Sequence, residues 1–237
     1  MSLHFHNKQW DSDFFGFQVA DITGGGGLTD VQEIVFLLRQ KGVTLAYWKV
    51  PVEDSVSIHA AEEAGICNVD TRITFFKNVC DYPVHTFPHI QKYTGAVSRA
   101  LLNLALQSGV YSRFNNDTNL PAGTYEKMYT AWIKKAVEEK HNNQVCVSTQ
   151  ENVLTGFVSM HEINPSLAEI ELIAVDRTYR GRSIGEELIR ATEHWAYENS
   201  FTQLQVATQK RNNRACAFYL RNGFHQVKEE NIYHIWL

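Results

Sequence analysis

Between residues 176 and 185 the chain reads Asp-Arg-Thr-Tyr-Arg-Gly-Arg-Ser-Ile-Gly, and residues 212–224 read Asn-Asn-Arg-Ala-Cys-Ala-Phe-Tyr-Leu-Arg-Asn-Gly-Phe. In the first stretch, small residues at Gly181, Ser183 and Gly185 let backbone N–H groups point outward. The start of the following helix, at Ile184, adds the positive end of a dipole, and Arg180 and Arg182 bring charge beside it. The combination suits a pyrophosphate; taken alone, it also describes a surface turn with solvated arginines. A dinucleotide fold would place Gly-x-Gly-x-x-Gly after its first strand and an acid about 20 residues later. A nucleotide P-loop would carry Gly-Lys-Ser/Thr. Neither is present. In the second stretch, Tyr219 offers a phenol of ordinary pKa roughly 10, able to donate a proton to a leaving anion; a core ring between Ala215 and Phe224 is the plainer reading. Upstream, Glu169 and Glu171 stand two apart on one face of a strand, either as a general base and its neighbour or as solvated carboxylates at a strand end. In the polar stretch 109–124, Arg113 can pair with a phosphate, Phe114 or Tyr111 can stack on a nucleobase, and Asn115, Asn116 and Asp117 can bond hydroxyls. A connector with Phe114 packed onto the core fits the same residues.

These groups need a scaffold, and the hydrophobic pattern supplies one of alternating helices and strands. Helices are expected over Thr29–Lys41, from Asp54 to Gly65, over Gly95–Ser108, over Tyr125–Glu139 with an apolar stripe of Tyr129, Trp132, Ile133 and Ala136, over Ile184–Glu198, and over Asn212–Asn222. Strands are expected over Leu45–Val50, Val69–Phe76, Val145–Ser148, Gly156–Met160, Glu169–Val175, Leu204–Thr208 and Tyr233–Leu237. Residues 81–95, with Pro83 and Pro88, read as a linker. Gly24–Gly27 reads as a turn, with no flanking basic residue to make it a phosphate cradle. Subtracting 158 from the C-terminal numbers maps Asn212 onto Asp54, Gly223 onto Gly65 and Gly185 onto Gly27, with the same element order. On that overlay Tyr219 falls on Ala61, and Arg180 and Arg182 fall on Ile22 and Gly24. A repeat would therefore keep the scaffold and lose the chemistry in its N-terminal copy.

Bulk properties narrow the class. The 237 residues carry a net charge of −4 and are 44% apolar and 20% charged, ordinary for a globular domain and unlike a general nucleic-acid binder. No run of about 18 apolar residues is present, so no membrane span is expected. Met1-Ser2-Leu3-His4-Phe5-His6 has neither the basic nor the apolar part of a signal peptide, and Cys67, Cys80, Cys146 and Cys216 lie far apart; both point to a cytoplasmic protein with reduced thiols. The histidines show no metal spacing, and no metal is expected.

At residues 180–224 the chain resembles the GNAT superfamily of acyl-CoA-dependent N-acyltransferases. The family motif Gln/Arg-x-x-Gly-x-Gly/Ala is matched by Arg180, Ser183 and Gly185. Ser183 replaces the first glycine of that motif, a departure tolerable where φ stays below zero. The later motif Asn-x-x-Ala-x-x-x-Tyr-x-x-x-Gly-Phe is met by Asn212, Ala215, Tyr219, Gly223 and Phe224. The resemblance implies an α/β (α+β) GNAT fold with a central mixed sheet. It implies that the strand ending at Val175 splays from its neighbour, and that backbone groups of Ile173, Ala174 and Val175 hold the pantetheine arm of acetyl-CoA. Arg180, Gly181, Arg182, Ser183, Ile184 and Gly185 would hold the pyrophosphate. Asn212 would cap its helix and reach the coenzyme, and Tyr219 would face the sulfur as proton donor. Glu169 stands where some members place a general base.

Four further segments resemble bacterial TDP-fucosamine acetyltransferases: Asp13-Phe14-Phe15-Gly16, Ser112-Arg113-Phe114, Tyr129-Thr130-Ala131-Trp132-Ile133, and Ala207-Thr208-Gln209 with Asn212. That likeness implies a degenerate GNAT-like region at 1–80, a linker at 81–95 and a catalytic domain at 96–237. It implies a nucleotide-linked amino-dideoxy sugar of surface-polysaccharide synthesis as acceptor, its amine attacking the thioester directly. The chain departs from the pattern at Glu169 and in its fuller 180–185 turn, so other acceptors stay open: a polyamine, an amino acid or a protein N-terminus. A non-catalytic acyl-CoA sensor is the remaining alternative. The expected partners are a small-molecule amine and no nucleic acid or membrane, with the chain a monomer or a homodimer.

Overall fold

The computed structural model describes residues 3–79, 87–139 and 143–237. The chain divides into two compact units, one of Met1–Ile73, Gln209–Arg211 and Lys228–Leu237, the other of Thr74–Thr208 and Asn212–Val227. In chain order the first elements are β1 (His4–Asn7), α1 (Gln9–Phe15), β2 (Val19–Thr23), α2 (Leu28–Gln40), β3 (Leu45–Pro51), α3 (Ser55–Glu63) and β4 (Asn68–Asn78). There follow β5 (Ile90–Lys92), α4 (Arg99–Ser108), α5 (Arg113–Asn116), α6 (Thr124–Glu138), β6 (Asn143–Gln150), β7 (Val153–Asn164) and β8 (Leu167–Val175). After a 3₁₀ turn at Arg177–Tyr179 come α7 (Ile184–Glu198), β9 (Gln203–Gln209), α8 (Asn213–Arg221) and β10 (His225–Trp236).

In the first unit β2 runs antiparallel to β1 and parallel to β3, and Glu230–Trp236 of β10 pair antiparallel with β3. Alternation places Ala46, Trp48 and Val50 on one face of β3, where they meet Val31, Ile34 and Leu38 of α2 and Ala60 and Ala61 of α3. The helical residues recur at three- and four-residue spacing, which is why that face buries. In the second unit β5, β6, β7 and β8 pair antiparallel in succession and β9 joins β8 in parallel, giving the expected mixed sheet. Buried Ile184, Leu188, Ile189 and Ala191 line the inner side of α7. The fold class is mixed α/β, as the sequence pattern and the resemblance both implied.

Three of the departures from the sequence expectations have a local physical reason or a clear outcome. Residues 90–92, within the expected linker, pair as a strand with Cys146–Ser148, while 81–86 lie outside the described residues. The last strand begins at His225, because the charged run Lys228-Glu229-Glu230 hides a period-2 pattern whose apolar members start at Ile232. The aromatic-rich stretch Gln9–Phe15 forms a short helix closed by Gly16 at φ +75°; it lacks the apolar stripe that would announce it.

The 158-residue offset reappears in local hydrogen bonding. Strands β3 and β9, and helices α3 and α8, have the same bounds once shifted. Asp54 accepts from the N–H of Ser57 and Asn212 from that of Ala215, each capping its helix start three residues on. At the far ends, Ile66 donates to Ala61 O and Phe224 to Tyr219 O, while Gly65 and Gly223 take φ +70° and +80°. Helices α2 and α7 close likewise, through Val43 to Leu38 O and Phe201 to Ala196 O. These are Schellman closures, for which a left-handed residue just past the helix is required.

Candidate functional site

The parallel ladder of β8 with β9 runs from Leu167/Gln203 to Ile170/Val206 and stops. Residues Glu171–Val175 of β8 continue against β7 alone, so the edge that carries Ile173, Ala174 and Val175 is left open on the β9 side. The break coincides with a bulge. Ser159 pairs with Leu172 and Met160 with Ile170, which leaves Glu171 without an opposite residue, and the Ser159 hydroxyl accepts from Leu172 N–H at 3.1 Å. A bulge re-aims its extra residue and bends the strand.

The turn after β8 is tightly held. Asp176 donates its N–H to Thr155 O at 2.8 Å, and its carboxylate accepts from Gln107 Nε2, Thr178 N–H and the Thr178 hydroxyl. The Gln107 bond first, and those from Thr178 next, keep this carboxyl below the usual range. Arg180 Nε donates to Val175 O at 3.0 Å, and the Arg182 guanidinium lies 5.1 Å over the Tyr179 ring. Gly181 takes φ +77° and Ser183 φ +59°. The condition of a negative φ at Ser183 is not met: the serine stands in the left-handed region, as the family glycine could do at lower cost.

Ser183 supplies no side-chain cap to α7. The first backbone-paired amide in the helix is Glu187 N–H, bonded to Ser183 O. The N–H groups of Ile184, Gly185 and Glu186 thus lack helical partners and carry the positive dipole end. Gly185 is required for packing as well: a Cβ there would lie 3.1 Å from the Phe218 ring and 3.7 Å from Val175. Helix α8 can therefore bring Phe218, and Tyr219 beside it, close to the start of α7.

Tyr219 is 4% exposed, its ring 5.7 Å from Phe75, 5.5 Å from Phe218 and 5.8 Å from Phe224. Burial raises its pKa above the ordinary phenol value, so the group stays protonated at neutral pH. Its hydroxyl forms no hydrogen bond among the described residues. Asn212 caps α8 through Ala215 N–H at 3.2 Å.

The carboxylates divide into two kinds. Glu169 accepts from Gln205 Nε2 at 2.9 Å, with His161 Nε2 3.6 Å from its other oxygen. Glu171 reaches solvent, yet protein crowds it enough that desolvation, aided by the charge of Glu169, raises its carboxyl from 4.5 to about 7. The spacing of Glu169 and Glu171 is plain in the sequence, but the bulge at Glu171 leaves no sequence signal.

Arg113 and Phe114 open α5. Phe114 is 6% exposed and packs edge-on against Trp132 at 5.7 Å, so it is a core ring and cannot stack on a nucleobase. The Arg113 guanidinium lies 4.6 Å over that ring. Tyr111, 39% exposed, is the accessible aromatic of this stretch. Among the described residues no group of His, Cys, Asp and Glu could hold a metal ion, and no helix is long and apolar enough to cross a membrane.

Residues 108–224 match the acetyltransferase (GNAT) family. Streptothricin acetyltransferase A of Bacillus subtilis is 36% identical over 74 residues, which are 31% of this chain and 43% of that protein. The match thus spans less than half of that curated relative. A GCN5-related N-acetyltransferase from Sphaerobacter thermophilus superposes at TM-score 0.64 with 15% identity, covering 99% of this chain and 76% of that one. A protein of unknown function from Staphylococcus epidermidis gives TM-score 0.64 with 13% identity, covering 92% and 84%.

Proposed function

We propose that this chain, whose residues 108–224 match the acetyltransferase (GNAT) family, transfers an acetyl group from acetyl-CoA to a primary amine. One observation carries the reading: a helix start with unpaired N–H groups and a buried phenol lie on α7 and α8, in contact through Gly185 and Phe218. The coenzyme supplies an activated acetyl thioester. The open edge of β8 at residues 171–175 offers backbone groups to the amides of its pantetheine arm. The amides of Ile184, Gly185 and Glu186, with Arg180 and Arg182, hold the pyrophosphate. Tyr219, kept protonated by burial, donates to the departing sulfur. Glu171 receives the ammonium proton of the acceptor, with Glu169 beside it. No covalent acyl-enzyme is required.

For the acceptor, the likeness to TDP-fucosamine acetyltransferases supports a nucleotide-linked amino-dideoxy sugar, with Arg113 for its phosphates and Tyr111 in place of Phe114 as the stacking ring. A second reading has its own support: two carboxylates at the acceptor side favour a cationic amine over a dianionic nucleotide, and streptothricin acetyltransferase A is a relative by sequence. The first unit is a degenerate copy of the second, and the separated cysteines fit a reducing cytoplasm. The test is thiol release from acetyl-CoA with TDP- and UDP-linked amino sugars in one arm and polyamines and amino acids in the other, products identified by mass. Tyr219→Phe lowers kcat roughly 10²- to 10⁴-fold and leaves coenzyme affinity within about twofold. Equal turnover by the two proteins removes the phenol from the mechanism; no thiol release with any amine removes the activity.

A further inference from the structure

We propose that Gln107, on the last turn of α4, is a positioning residue for the coenzyme turn, its primary amide clamping the junction between β8 and the residues that hold pyrophosphate. The proposal rests on the coenzyme reading of residues 180–185. Gln107 Nε2 donates to Asp176 Oδ2 at 2.9 Å and Gln107 Oε1 accepts from Arg177 N–H at 3.2 Å. One side chain thereby fixes two consecutive residues, a carboxylate by donation and a peptide N–H by acceptance. The primary amide of Asn or Gln carries donor and acceptor on separate atoms of one planar group, and Gln has the longer reach of the two.

The clamp is itself anchored. The Tyr125 hydroxyl of α6 donates to Leu106 O, one residue before Gln107. From the other side, Asp176 is held by Thr155 O through its N–H and by Thr178 through its carboxylate. Arg180, whose side chain returns to Val175 O, spans the same junction. The stretch from Val175 to Arg180 is therefore a loop tied at both ends, with Gln107 as its contact to a helix outside the β8–α7 connection. Freed from it, Asp176 and Arg177 gain conformational freedom, and the amides downstream must be ordered by the coenzyme at the expense of affinity. Chemistry at the thioester, which depends on Tyr219, is untouched.

The test is titration of coenzyme A by calorimetry, together with steady-state kinetics. Gln107→Ala is expected to raise the Kd for coenzyme A and the KM for acetyl-CoA about five- to twentyfold while kcat stays within about twofold. Gln107→Glu supplies the discriminating signature. As a carboxylate it faces Asp176, with Arg180 the nearby cation, and cannot donate; once protonated it can again donate to Asp176 and accept from Arg177 N–H. Its Kd is expected to fall towards that of the unmodified protein as pH drops from 8 to about 5.5, while the unmodified protein shows no such fall. A Kd for Gln107→Ala within twofold of the unmodified value, or an equal and pH-independent loss in both variants, overturns the clamp. If the unmodified protein fails to bind coenzyme A, the coenzyme reading is what fails. A Gln107→Ala protein that does not fold leaves the pH dependence of Gln107→Glu to decide.

Discussion

Glu171 owes its chemistry to a single extra residue in a strand. Without the bulge it would face a partner on β7; with it, the side chain stands beside Glu169 in crowded surroundings, and its carboxyl rises from 4.5 to about 7. A raised carboxyl binds a proton more tightly folded than unfolded, so its favourable contribution is complete below about pH 4.5 and lost as pH climbs towards 7. Glu171→Gln is therefore expected to raise the melting temperature at pH 8 relative to the parent and to leave it unchanged at pH 4.5. The acid limb of kcat/KM near pH 7 disappears with it, and catalysis falls. A pH-independent difference in melting would mean the group does not titrate in this range. How much of this was legible varies by residue. Arg180, Gly185, Asn212 and Tyr219 announce themselves by type and spacing. Glu171 does not, because a one-residue register shift against β7 is a property of two strands together. Phe114 admits two readings from sequence, stacking ring or core ring, for a related reason: whether an aromatic faces water or Trp132 depends on α6, and its own segment is silent on that.

At the scale of elements, helix ends were the most readable features and strand partners the least. Caps are local: Asn212 and Gly223 specify where α8 begins and ends by hydrogen bonds that span no more than five residues. Asn212→Ala removes the acceptor for Ala215 N–H and should cost about 1 kcal/mol of stability. Denaturant unfolding reads this as a lower midpoint at constant slope, and an unchanged midpoint would show that the cap contributes nothing. Strand pairing is non-local. The pattern over Glu169–Val175 gave a strand, but its parting from β9 after Ile170 follows from the chain around it, and the resemblance to a known family was what anticipated it. In β10 the residues that pair with β3 begin at Glu230, and charge at 228–230 obscured the element.

The two units, similar in element order and in how their helices close, differ at one decisive place, the start of the helix after the glycine-bearing turn. At α7 the amides are unpaired and flanked by Arg180 and Arg182. At α2, Gly27 N–H is bonded to Asp30 Oδ2 at 2.8 Å and Gly26 N–H to Ser57 Oγ at 3.0 Å, and Ser57 in turn donates to Asp54 Oδ2 at 2.7 Å. Space is gone too, since a Cβ on Gly25 would lie 2.5 Å from the Asp54 carboxylate. That carboxyl is held below its usual pKa by its Ser57 bonds, so it is ionised at neutral pH. A pyrophosphate oxygen about 4 Å from such a charge meets roughly 4 kcal/mol of repulsion at an effective dielectric of about 20. A helix dipole returns only about 0.3–1 kcal/mol. Repulsion wins, and the chain should bind a single coenzyme. Calorimetric titration with coenzyme A is expected to give one site per chain. Gly185→Ala, which drives a Cβ against the Phe218 ring, should then abolish all binding. Two sites in the unmodified protein, or half the binding retained in that variant, would place a second coenzyme on the first unit and show that the carboxylates at its glycine turn do not exclude it.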